Sequence, residues 1–284
     1  MGQGEVIGII GLGRMGSAIA QKLAHKNPVQ GWNRTARPAP DGVRLADNLG
    51  ALVQNCTILV TSLFDDPAFD EVSEQLARFD LTGRLVVETS TIAAATLQAA
   101  AARLGAAGAA LIDAPIAGGP PLVLEARAGM LMGGDAHHVA RWQPFAEQLA
   151  GRVLHMGPLG AGAAAKTVNN MMLVGYWQVL KEALLTGRQA GLALEEMLHM
   201  LAGGPAASGA FRARLPVITG EDSTVGFSVD GVAKDARLFV ETAQGYGVDV
   251  PALRAALASF EAASAAGIGG DDLARMLAHA YAQI

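Results

Sequence analysis

Short apolar runs alternate with longer stretches of helical periodicity through the first half of the chain: Glu5–Ile10, Val29–Trp32, Thr57–Leu63, Leu85–Glu88, Ala109–Asp113, Met130–Met132 and Arg152–His155. That alternation predicts a parallel sheet with crossover helices. After Gly157 the pattern changes. Between Ala161 and Ile284 apolar residues recur at helical spacing, broken by Gly and Pro near 203–205, 216–220 and 245–251, which predicts helices alone. Gly157-Pro158-Leu159-Gly160-Ala161-Gly162 ends the sheet and leads into a long helix, roughly 163–191. The predicted fold is therefore α/β: a sheet domain over residues 1–160, then an all-α domain over 161–284, joined by that helix.

Gly11-Leu12-Gly13-Arg14-Met15-Gly16 follows the first predicted strand and opens the first helix. In this context G-x-G-x-x-G has a mechanism: the first glycine permits a tight turn, the second lets backbone approach a pyrophosphate, and the third packs helix on strand. The N–H groups that open the helix then face the phosphates. Strand, turn, helix and second strand all fit, so the first domain is read as Rossmann-type and dinucleotide-binding. The second strand ends in Trp32-Asn33-Arg34-Thr35, where an NAD-binding domain places a carboxylate against the ribose 2′-hydroxyl. No carboxylate stands there. Asn33 can bond the ribose, Arg34 offers a cationic fork and Thr35 a hydroxyl, all suited to a 2′-phosphate. NADP(H) is expected in preference to NAD(H); the alternative for Arg34 is a solvated loop charge.

Composition narrows the remaining classes. The 284 residues suffice for two modest domains, and 21 Lys plus Arg against 26 Asp plus Glu leave a net charge of -5, with no general attraction to nucleic acid or anionic lipid. The longest alanine-rich stretch, 92–119, is interrupted by Arg103 and Asp113, so no membrane span is expected. No export signal is visible at the N-terminus, and Met1-Gly2 lacks the Ser or Thr of a myristoylation signal because Val6 stands there. The single cysteine, Cys56, fits a structural role in a reducing compartment, and a cytoplasmic location is expected. The six histidines do not pair with acids or cysteines at metal-ligand spacing, and no nucleophile elbow is present. Asp65-Asp66 before Pro67 read as a helix N-cap.

On the long helix, Lys166 and Asn170 are one turn apart and share a face with Leu173 and Trp177. Hydride transfer to a carbonyl needs a proton donor to the nascent alkoxide, and a lysine can fill that role. Taken alone, the pair is an ordinary solvated face. The surrounding residues change that reading. Gly11 to Gly16, Ser90-Thr91-Ile92, Asp113-Ala114-Pro115-Ile116-Ala117-Gly118-Gly119, Gly160-Ala161-Gly162 with Lys166 and Asn169-Asn170, and Lys234-Asp235 stand in an order and spacing that resembles the β-hydroxyacid dehydrogenase family. That family includes 3-hydroxyisobutyrate dehydrogenase and the glyoxylate/succinic semialdehyde reductases, and is related to 6-phosphogluconate dehydrogenase.

The resemblance implies Lys166 as general acid/base and Asn170 as its partner on the substrate. It implies Leu63, Phe64 and Thr91 along the cofactor, Lys234 near nicotinamide and substrate, Phe227 beside the site, and a cleft between domains. Ala117, Gly118 and Gly119 are expected to hold the substrate, since glycines let backbone N–H groups approach a carboxylate. Ala117 departs from the family, which usually carries Ser there. Loss of that hydroxyl removes a bond worth about 1–3 kcal/mol and suits a less polar substrate. Phe64 replaces the usual proline, 125–134 looks shorter than typical, and Trp177 is expected to line an apolar pocket with Phe227.

The expected activity is thus an NADPH-dependent reductase of a small aldehyde or keto substrate, reversible as a hydroxy-acid dehydrogenase. An imine reductase is the alternative, since those enzymes resemble this family, although Lys166 stands where they usually carry Asp or Tyr. A catalytically silent NADPH-binding partner is a third reading. Apolar faces at Leu238, Phe239 and 252–260 predict a homodimer or larger assembly.

Overall fold

The computed structural model describes residues 4–283, so Met1-Gly2 lie outside the described residues. The chain divides into two compact units, Met1–Val168 and Asn169–Ile284. The division falls inside the long helix, a few residues beyond the glycine-rich break that marks its start.

The first unit runs β1 (Ile7–Ile10), α1 (Arg14–Ala24), β2 (Val29–Trp32), β3 (Arg44–Leu45), α2 (Leu49–Asn55), β4 (Ile58–Thr61), α3 (Asp66–Leu76), β5 (Leu85–Glu88), α4 (Ala94–Ala106) and β6 (Ala110–Asp113). β7 (Ile116–Ala117), α5 (Pro120–Leu124), β8 (Ala128–Gly133), α6 (Ala136–Leu149) and β9 (Ala150–Gly157) follow. Strands lie in the order β3-β2-β1-β4-β5-β6-β8, the first six mutually parallel. Alternate residues of the central strands feed two cores. Ile7, Ile9, Ile58, Val60, Leu85 and Val87 pack on one face, and Ile10, Leu59 and Val86 on the other. Helices cover both faces, which is why these strands read as continuous apolar runs.

The sheet departs from the prediction beyond β6. β8 is antiparallel, pairing Asp113 with Gly133, Ile116 with Met130 and Ala117 with Gly129 in one register. β6 and β7 therefore form one edge of β8, interrupted at Ala114-Pro115, and β9 runs parallel along the other edge. The two-residue strands β3 and β7 were too short to show as apolar runs.

Asp65 caps α3 through the Ala68 N–H at 3.0 Å, whereas Asp66 accepts from Ala93 N–H at 2.9 Å and so ties α3 to the start of α4. Cys56 is buried and its thiol is pushed up to about 12 by desolvation, so it is an inert packing residue.

The long helix α7 (Ala161–Gln189) leads to α8 (Leu194–Gly203), α9 (Gly209–Arg212), α10 (Leu215–Thr219), α11 (Val229–Gly245), α12 (Pro251–Ala263), a π-helical turn (Ser264–Ile268) and α13 (Arg275–Ala282). The second unit has its own core around Trp177, Phe211, Phe239 and Phe260. Phe239 and Phe260 are thereby covered within the unit, so they are not the open apolar faces that the sequence suggested. Among the described residues no helix is long and apolar enough to cross a membrane, and no group of three or more His, Cys, Asp or Glu is placed to hold a metal ion.

Candidate functional site

The glycine turn between β1 and α1 is tightly constrained. Gly11 has φ +95°, in the left-handed region, and a Cβ there would lie 2.3 Å from the Ser62 carbonyl oxygen. A Cβ on Gly16 would lie 1.9 Å from the Gly11 carbonyl oxygen, so helix and turn touch through bare backbone. At Gly13, the N-cap of α1, a Cβ would meet nothing within 4 Å. The first and third glycines are needed by the fold, whereas the second faces the space into which the helix opens. Arg14 begins α1, Met15 packs on the core and Leu12 is buried. Backbone N–H groups at a helix start with open space before them suit a pyrophosphate.

Asn33 closes the turn from β2. Its Oδ1 accepts from the Leu12 N–H at 2.8 Å and its Nδ2 donates to the Thr35 carbonyl at 2.7 Å. The amide expected on the ribose thus also braces the turn against the 33–35 loop. Arg34 and Thr35 are exposed, and Arg34 Nη1 lies 2.7 Å from Glu71 Oε2 on α3.

The loops after β4 and β5 are locked together by a carboxyl that the sequence reading passed over. Glu88, at the end of β5, accepts from the Thr61 hydroxyl through Oε2 and from the Ser90 N–H through Oε1. Ser90 Oγ in turn accepts from the Leu63 N–H at 2.7 Å, and Leu63 Cδ2 lies near the Gly11 turn. Burial pushes the Glu88 carboxyl up to about 7, against the lowering bonds from Ser90 and Thr61, with the negative charge of Asp113 adding to the rise. The only signal in the sequence was a charge closing an apolar strand just before Ser90-Thr91. Thr91 is half-buried and Phe64 is exposed.

Asp113 organises the start of α7. Its Oδ1 accepts from Gly160 N–H at 2.8 Å and its Oδ2 from Ala163 N–H at 2.7 Å. A carboxylate here satisfies orphan donors and complements the helix dipole. Burial raises its pKa against these hydrogen bonds. Gly133 and Gly162 make the approach possible, since a Cβ on either would lie 2.4 and 2.7 Å from the Asp113 carboxylate oxygens. One turn further along α7, Lys166 is only 8% exposed, and its Nζ donates to the Ile116 carbonyl oxygen at 2.6 Å. That carbonyl belongs to β7, directly before Ala117-Gly118-Gly119. Gly118 has φ +137°, and Gly119 is the N-cap of α5. The structure therefore brings Lys166 to the predicted substrate segment.

In the second unit Asn170 is buried, and its Oδ1 accepts from Asn169 Nδ2 at 3.0 Å. Lys234 Nζ lies 2.7 Å from Asp235 Oδ1 on α11. Phe227 is half-buried just before the Ser228 cap of that helix. Trp177 requires correction: it is fully buried in the helical core, beside Tyr176 and under Arg214, and lines no open wall. Its place on the Lys166 face does not expose it, because α7 passes from one core to the other along its length. Asp272 was also missed. It accepts from Arg214 Nε at 2.9 Å, Gly226 N–H at 2.9 Å, Phe227 N–H at 3.0 Å and Ala274 N–H at 3.1 Å, and so fixes the backbone that carries Phe227. Apart from Ala274 its partners are distant in sequence, at 214, 226 and 227, so no local pattern announces its tie to that loop.

Comparison with known proteins finds relatives over nearly the whole chain. Residues 6–157 match the NAD binding domain of 6-phosphogluconate dehydrogenase, and residues 160–280 match the family described as NAD-binding of NADP-dependent 3-hydroxyisobutyrate dehydrogenase. L-threonate dehydrogenase of Cupriavidus necator is 28% identical over 94% of this chain and 93% of its own. The 3-hydroxyisobutyrate dehydrogenase of Mycobacterium tuberculosis, solved with L-serine, superposes with a TM-score of 0.80 at 26% identity, covering 97% of this chain and 98% of that one. A variant of the imine reductase from Myxococcus stipitatus, solved with NAD+, shares the fold with a TM-score of 0.65 at 23% identity, covering 98% and 99%. With family models matching residues 6–157 and 160–280, nearly the whole chain, the protein belongs to the NAD(P)-dependent β-hydroxyacid dehydrogenase family.

Proposed function

We propose that this protein is an NADP(H)-preferring oxidoreductase that interconverts a small aldehyde or ketone and its alcohol, with Lys166 as general acid/base. The observation that carries the reading is the Lys166 ammonium, buried and held 2.6 Å from the Ile116 carbonyl next to Ala117-Gly118-Gly119. When bound, the dinucleotide gives or takes the hydride. The chain supplies position and the proton: backbone at Gly118 and Gly119 anchors an acidic group of the substrate, and Lys166 Nζ donates to the carbonyl oxygen as it gains charge. Asn170 is assigned to the same oxygen, and Phe227 and Lys234 to the substrate and nicotinamide surroundings. Arg34, with Asn33 and Thr35, is assigned to the ribose 2′-phosphate. Residues 1–160 are assigned as the NADP-binding Rossmann domain, which also carries the Gly118-Gly119 segment, and residues 161–284 as the all-helical substrate and dimerisation domain.

Lys166→Ala tests the assignment. Turnover is expected to fall by about 10²–10⁴-fold, the usual contribution of a positioned acid/base, while NADPH affinity is retained. Turnover near the wild-type rate refutes the role. Ala117 gives a second reading some support, because a site without the usual hydroxyl suits an imine that lacks a carboxylate. Following NADPH and NADH oxidation with glyoxylate, succinic semialdehyde, hydrophobic aldehydes and a cyclic imine separates the two. Oxidation with the imine alone favours the second.

The protein is further proposed to act as a homodimer or larger assembly, in the reducing cytoplasm that a single cysteine suits. Val168, Met172 and Val179 form an exposed apolar stripe on α7, at 66%, 75% and 62% exposure, at the spacing by which a helix meets a second helix.

A further inference from the structure

The loop after β2 and the middle of α3 meet through charge. Arg34 Nη1 lies 2.7 Å from Glu71 Oε2, and Gln75 Nε2, one turn further along α3, donates to Glu71 Oε1 at 3.3 Å. The backbone of the loop is fixed independently, by Asn33 Nδ2 on the Thr35 carbonyl. The guanidinium is therefore steered by α3 rather than by its own loop. The pair is open to solvent, with the side chains 74% and 47% exposed, so a ligand can compete for either member.

We propose that Glu71 is a cofactor-specificity residue, whose carboxylate occupies Arg34 and thereby narrows the preference of this chain for NADP(H) over NAD(H). The inference rests on the reading of Arg34 as the 2′-phosphate ligand. A phosphate monoester carries close to two negative charges at neutral pH. Glu71 Oε2 occupies the Nη1 side of the guanidinium, so a phosphate that takes the remaining N–H groups shares the cation with a carboxylate of the same sign. That repulsion opposes binding of the phosphorylated cofactor. NAD(H) presents a neutral hydroxyl at that position, so Glu71 leaves its affinity almost untouched. Exposed ion pairs are weak and screened by salt, so removing the carboxylate is expected to change affinity by about 2- to 5-fold.

The experiment titrates NADPH and NADH into the purified full chain, as wild type, Glu71→Gln and Arg34→Ala, at low and at physiological salt, following cofactor fluorescence. Glu71→Gln is expected to tighten NADPH about 2- to 5-fold, with the gain shrinking as salt is added. NADH affinity is expected to stay put, which also shows that the variant is folded. If Glu71→Gln leaves the NADPH to NADH ratio unchanged while Arg34→Ala weakens NADPH, the role of Glu71 is overturned and that of Arg34 stands. Weaker NADPH binding by Glu71→Gln also overturns it, by showing that the carboxylate aims Arg34 at the phosphate. If Arg34→Ala changes neither cofactor, the reading of Arg34 fails, and the inference with it.

Discussion

Glu88→Gln isolates one buried carboxyl whose ionisation opposes folding. Glu88 is 1% exposed, and its pKa rises from 4.5 to about 7, chiefly because burial penalises the anion. A folded pKa above the unfolded one means that the native state binds the proton more tightly. The stability this supplies is fully present below pH 4.5 and is lost as pH rises through about 7. The shift corresponds to roughly 3 kcal/mol between the two plateaus. Groups with lowered pKa act the other way and at lower pH: Glu5, held down first by its hydrogen bond from Arg141, loses its contribution as pH falls.

Urea unfolding of wild type and Glu88→Gln from pH 5 to 8.5, followed by circular dichroism, separates these effects, because only Glu88 differs between the proteins. The amide loses one of these hydrogen bonds at every pH, since the Thr61 hydroxyl and the Ser90 N–H each donate to a separate carboxylate oxygen and the NH2 that replaces one oxygen cannot accept. The measured quantity is the change in that difference with pH, which is expected to swing by about 3 kcal/mol toward the variant as pH rises. A difference constant across the range refutes the argument, since it would mean that Glu88 ionises alike in the folded and unfolded chain.

The glycine turn makes a paired prediction. Gly16→Ala, whose Cβ would lie 1.9 Å from the Gly11 carbonyl oxygen, is expected to lower the melting temperature and abolish dinucleotide binding, whereas Gly13→Ala, with open space around its Cβ, is expected to keep a near-wild-type melting temperature and lose dinucleotide affinity in a fluorescence titration. Asp272→Ala leaves the half-buried Arg214 guanidinium and two loop N–H groups without their acceptor, and is expected to cost about 1–3 kcal/mol in urea unfolding. A loss below about 1 kcal/mol would show that the loop keeps its place without that carboxylate.

Much of the first unit was legible because its signals are local. A strand buried on both faces is apolar throughout, and a turn that packs backbone on backbone must carry glycine. Ile7–Ile10, Gly11 and Gly16 therefore announce themselves without any knowledge of their neighbours. The helical character of the second half was legible for the same reason, through periodicity and Gly/Pro breaks. The direction of β8 was not, because an apolar strand reads alike parallel or antiparallel.

The sequence by itself determined the alternation of the longer strands with helices, the glycine turn and the identity of Lys166 as a residue of interest. Tertiary structure alone decided what Lys166 touches, because a cation on a helix face is ordinary until a strand carbonyl from residue 116 covers it. It likewise decided that Trp177 belongs to a core, that Asp113 caps α7 across a long sequence gap, and that Glu88 is buried at the end of its strand. Periodicity is a property of neighbours along the chain, whereas burial, hydrogen-bond partners and shifted pKa values arise from neighbours in space.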